Sequence, residues 1–128
     1  MNSENIKKWE PVHLIPNQLY IDSIIDDHLG LTIVARGEDS DDALSIWFRS
    51  VLSYQSVDET CTLKRLEDFP ILSTQWPLFI SSKSSYIDWI VEQSYQIVDL
   101  EEVINYIITH GDGIIDVISN DPPEIKWI

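Results

Sequence analysis

Four carboxylates crowd into the six residues Gly37–Glu38–Asp39–Ser40–Asp41–Asp42. Oxygen ligands at this density suit calcium. The run lacks the central glycine and distant bidentate glutamate of an EF-hand loop, so a solvated turn is expected. His13, His28 and His110 lie far apart without H-x-x-x-H spacing, and Cys61 has no second cysteine, so no zinc set is expected. No G-x-S-x-G elbow occurs, and Cys61 has neither glycine nor histidine beside it. His110–Gly111–Asp112–Gly113 is explained residue by residue as a hairpin turn. Asp116 is the carboxylate best placed for a perturbed pKa, since Ile114, Ile115, Val117 and Ile118 flank it. Its ordinary role would be to cap a loop or to reach solvent from a sheet edge. With no phosphate-binding or dinucleotide fingerprint either, no catalytic residue, metal or cofactor is expected.

Surface chemistry remains. Asp22, Asp26 and Asp27, followed by Glu38, Asp39, Asp41 and Asp42, fall at neighbouring ends of one predicted meander, with Tyr20 and Trp47 nearby. Carboxylates around exposed aromatics make a surface that a basic protein could dock on, and they imitate a phosphate backbone. The plainer reading is a charged sheet rim that deters edge-to-edge pairing.

The elements that would position these residues follow from periodicity. Residues 1–17 read as a polar extended arm pinned by Trp9, because Pro11 and Pro16 disfavour a helix. Leu19–Arg36 reads as a hairpin turning at Gly30, and Ala43–Leu52 as a third strand with Leu44, Ile46 and Phe48 on one face. Tyr54–Leu72 carries Leu63, Leu66 and Phe69 at helical spacing, which predicts a short, partly irregular helix ended by Pro70 with Lys64, Arg65, Glu67 and Asp68 facing out.

Trp76–Ser82 predicts a short strand. Ser85–Tyr86–Ile87–Asp88 predicts a helix cap, with Tyr86, Trp89 and Ile90 on the buried stripe of a helix over 85–94. Val103–Thr109 and Ile114–Ser119, joined through Asp112–Gly113, form a hairpin apolar on both faces and therefore central. Glu124–Ile128 could add a last edge strand. The fold class expected is α+β: a single domain over 1–128, with a mainly antiparallel sheet of about six strands (meander plus C-terminal hairpin) covered by one or two helices.

The 128 residues hold 22 acidic and 8 basic side chains, a net charge of −14. Such a field repels nucleic acid and anionic membrane surfaces and attracts basic partners. No apolar run approaches the roughly 20 residues that span a bilayer. The start shows no apolar signal segment, and the lone cysteine fits a reducing compartment, so a cytoplasmic location is expected.

In size, acidity, α+β build and its tryptophan-bearing C-terminal half, from Trp76–Pro77–Leu78–Phe79 to Asp121–Pro122–Pro123, the chain resembles the small acidic immunity proteins of bacterial polymorphic or contact-dependent toxin systems. The resemblance implies a non-enzymatic inhibitor that blocks a basic toxin or nuclease domain, and it assigns no residue. The alternative expectation is a regulatory or adaptor domain sensing a small ligand between helix and sheet.

Overall fold

The computed structural model describes residues 4–99 and 102–128. The first three residues of the expected arm, and Leu100 and Glu101 ahead of the C-terminal hairpin, lie outside them. The order is β1 (Lys7–Lys8), β2 (Tyr20–Asp27), β3 (Gly30–Arg36), β4 (Ala43–Phe48), β5 (Ser53–Asp58), α1 (Leu63–Asp68), β6 (Leu78–Ser81), α2 (Ser85–Gln93), β7 (Ile104–His110), β8 (Gly113–Ser119) and β9 (Glu124–Trp127). Short 3-10 turns over Glu59–Cys61 and Pro70–Ser73 flank α1.

The α+β class holds, but the single sheet of about six strands does not. The strands form two antiparallel sheets, one of five strands ordered β1-β6-β7-β8-β5 and one of four ordered β2-β3-β4-β9. The reason is burial. Strands β3 and β4 present Leu31, Ile33, Ala35, Leu44, Ile46 and Phe48 on one face only, and that row needs an apolar counterpart. Leu78, Tyr106, Ile108, Ile115 and Val117 of the five-stranded sheet supply it, so the meander stacks on the hairpin instead of extending it. The tail does become an edge strand, β9 pairing with β4.

The hairpin β7–β8 is central, as its two apolar faces require. Its second face carries Ile107 and Ile114, under Leu72, Leu66 and Phe69 of the α1 region, and Ile118, under Ile87 of α2. Gly113 is required by close approach: a Cβ there would lie 1.9 Å from the Val57 carbonyl oxygen. Gly30 is required on both counts, with φ +121° and a would-be Cβ 2.2 Å from the Phe48 carbonyl oxygen.

Three local expectations change. Tyr54–Asp58 belongs to strand β5 and is not the start of an irregular helix; the strand is a half-exposed edge, so its residues need no clean alternation. The cap of α2 is Ser84, whose Oγ accepts from the Ile87 N–H at 3.1 Å, and not Ser85. The buried residue of α2 is Ile87, flanked by Tyr86, Ile90 and Val91, while Trp89 is 53% exposed. The arm is extended as expected: β1 pairs with β6, and the Trp9 ring meets Tyr106 at 5.3 Å.

Candidate functional site

Two polar regions stand out, one on each sheet. On the four-stranded sheet, β2 is a free edge, and Asp22 is the extra residue where its register with β3 shifts between Ile21 and Ser23. The bulge brings Asp22 to Arg36, whose Nε donates to its Oδ2 at 2.6 Å. Arg36 also reaches the carbonyls of Ser40 and Asp41, so it ties Asp22 to the exposed turn carrying Glu38, Asp39, Asp41 and Asp42. Tyr20 stands opposite Arg36 at this same end, its ring against Gly111.

Asp26 and Asp27 lie at the other end, about 13 Å further along the strand at ~3.3 Å per residue. There Asp27 Oδ1 accepts from the Leu29 N–H and shapes the turn, and Tyr54 donates to Asp26 at 3.4 Å. Trp47 belongs to this end: its indole N–H donates to the Leu29 carbonyl at 2.9 Å, and the Arg49 guanidinium sits 5.3 Å over its ring. The structure therefore divides the residues singled out in the sequence between two ends of one sheet.

Between those ends lies a face without a covering layer, since both helices pack on the five-stranded sheet. The register sets Ile25, Thr32, Trp47 and Glu124 in one outward row, and Ser23, Val34, Ser45 and Lys126 in the next. Ile25 in this row is 48% exposed and Leu29 in the adjoining turn 64%, so this end of the face has apolar content in contact with water.

The second region was missed as an assembly. Asp116 is fully buried in mid-sheet, between Gln55 of β5 and Ile107 of β7, and neither caps a loop nor reaches solvent. Arg65, expected to face out from α1, turns in and grips both carboxylate oxygens, Nη1 to Oδ2 at 2.6 Å and Nη2 to Oδ1 at 2.8 Å. Burial opposes the guanidinium's charge, but the hydrogen bonds and charge of Asp116, with the charge of Glu4, outweigh it and raise the Arg65 pKa. Gln55 Nε2 adds a long contact to Asp116 at 3.4 Å.

Next to this pair, Asn105 is also fully buried. Its Nδ2 donates to the Ser84 cap at 3.1 Å, whereas its Oδ1 has no hydrogen-bond partner among the described residues. Leaving such an oxygen unpaired costs on the order of 1–3 kcal/mol. Glu4 reaches in from the arm; burial raises its pKa, opposed by hydrogen bonds from the Ser85 N–H and hydroxyl. A cleft of about 450 Å³ opens here between α1, the start of α2 and the sheet. Only the isolation of Asp116 and Asn105 among apolar neighbours signals this site in the sequence.

Cys61 is an exposed free thiol, and His110 Nδ1 accepts from the Asp112 N–H at 3.2 Å, within its own turn. Burial lowers the His110 pKa, against the raising influence of Asp112. Among the described residues no three His, Cys, Asp or Glu side chains converge as a metal site, and no helix is long and apolar enough to cross a membrane. No family model, curated protein or solved structure matches the chain.

Proposed function

We propose that the chain is a non-enzymatic binding protein that docks a basic protein partner on the outer face of its four-stranded sheet. The observation that carries this reading is the outward row Ile25–Thr32–Trp47, in which Ile25 is exposed and Trp47 partly exposed, with carboxylates at both ends of the sheet. Asp26 and Asp27 flank it on one side, and Asp22, Glu38, Asp39, Asp41 and Asp42 on the other, against Arg36, Arg49 and Lys126. A tryptophan among aliphatic side chains is the composition of an interface anchor, and the surrounding charge speeds encounter with a cationic surface. By its resemblance to immunity proteins, the partner is a toxin or nuclease domain held inactive in the complex, in the cytoplasm.

The experiment is co-expression with the products of the genes on either side, followed by titration calorimetry of any basic product at low and high salt. Tight binding at low salt that weakens as salt rises supports the proposal. Absence of binding to any basic neighbour at low salt removes it. A second reading, a regulatory or adaptor domain sensing a small ligand, is favoured by the cleft that holds the unpaired Asn105 amide oxygen.

A further inference from the structure

The helical side of the five-stranded sheet holds more polar groups than the fold needs. Arg65 and Asp116 neutralise each other, and Lys64 at the rim is paired with Asp68 at 2.6 Å. Glu4, the remaining carboxylate of the cleft, accepts hydrogen bonds from Ser85 and is pushed towards its neutral form by burial, so the cleft does not call for a charged ligand, and the net charge of −14 disfavours anions further. A neutral ligand meets no such obstacle.

What the cleft still offers is hydrogen-bonding capacity at Asn105. Ser84 Oγ takes one of the two Nδ2 hydrogens, which leaves the second hydrogen and the unpaired Oδ1. The unpaired oxygen calls for a donor and the second Nδ2 hydrogen for an acceptor, and a group that carries both is an N–H beside a carbonyl. Gln55, whose Nε2 points at Asp116, keeps its own oxygen as a further acceptor near the mouth. Phe69 and Tyr86 line the same space and can meet the flat side of such a group, and a volume of about 450 Å³ leaves room for a small ring.

We infer that this cleft binds a small neutral molecule with an N–H next to a carbonyl, a lactam or the imide edge of a pyrimidine, read by the Asn105 amide. The site lies on the opposite side of the five-stranded sheet from the four-stranded one and does not depend on a basic partner.

The test is a two-dimensional amide NMR titration of the whole chain with uracil, 2-pyrrolidone and acetamide, taken to roughly 20 mM, where a millimolar fragment site is largely filled. N,N-dimethylacetamide, which has no N–H, is the control. The expected result is saturable shifts of the Asn105 side-chain amide and the Ser84 and Ser85 N–H signals with at least one probe, and none with the control. Asn105→Leu should weaken that binding about tenfold or more. Gln55→Ala, at an exposed position of β5, should weaken it several-fold and keeps the test valid should Asn105→Leu fail to fold. No shift with any probe, equal shifts with the control, or binding that neither variant changes would overturn the inference. A basic partner that fails to bind would leave all these outcomes untouched.

Discussion

The two sheets treat their polar residues in opposite ways. The five-stranded sheet takes Asp116 and Asn105 inside, under two helices, and matches charge with charge at Arg65. The four-stranded sheet keeps its carboxylates at its ends and leaves one face to water. Of the seven acids singled out there, Asp22 alone forms a salt bridge among the described residues. The inner pair is local and short-ranged and sets structure. The outer carboxylates, mostly uncompensated, project a field that reaches on the order of a Debye length into solvent, about 8–10 Å at moderate salt. Polar residues of the same type thus serve the fold in one sheet and, in the proposed docking role, recognition in the other.

The sharpest way to break this contrast is to remove one inner partner. Arg65→Ala leaves Asp116 buried and unpaired and should cost about 3–5 kcal/mol in chemical denaturation. The double variant Arg65→Met with Asp116→Leu removes both charges and should recover most of that loss. Equal losses in the single and double variants would show that the pair does more than neutralise itself. On the outer sheet, Trp47→Ala should weaken partner binding by about 2 kcal/mol or more, read by calorimetry.

Ser84→Ala should cost about 1 kcal/mol by removing the α2 cap, whereas Ser85→Ala, one residue later, should cost less; paired melts decide. Asp26→Asn with Asp27→Asn should change stability by less than about 0.5 kcal/mol while slowing association and flattening its salt dependence. The smallest effect is at His110. Its folded pKa lies below its ordinary value because the ring is half-buried, so the unfolded chain binds the proton more readily. Its contribution to stability is present above the unfolded pKa of about 6.5 and is lost as pH falls through the folded value. His110→Asn should flatten the stability–pH curve in that window.

The hairpin β7–β8 was legible because apolar residues on both faces demand a central position, and Asp112–Gly113 marks its turn. The helix over 85–93 was legible, but its cap was shifted by one. Asp88 completes the capping pattern from Ser85 and points to the wrong serine, whereas Ser84 takes the cap and also receives the Asn105 amide. The second sheet was not legible, because local periodicity says which face of β2–β4 is apolar and not what covers it. Nor was the partnership of Arg65 with Asp116, 51 residues apart, since a helical arginine reads as solvated until a buried carboxylate stands opposite. The acidic site was visible as composition. Its division into two ends depends on the strand register, and on Arg36 drawing Asp22 towards the turn.

The most direct test of the central claim follows the amide spectrum of the chain as a basic partner encoded beside it is added at low salt. The account predicts saturable shifts at Ile25, Thr32, Val34 and the Trp47 indole, abolished by high salt and weakened by Trp47→Ala, with the Asn105 region unmoved. Binding that shifts Asn105, Ser84 and Ser85 and leaves the Trp47 row unchanged would contradict it.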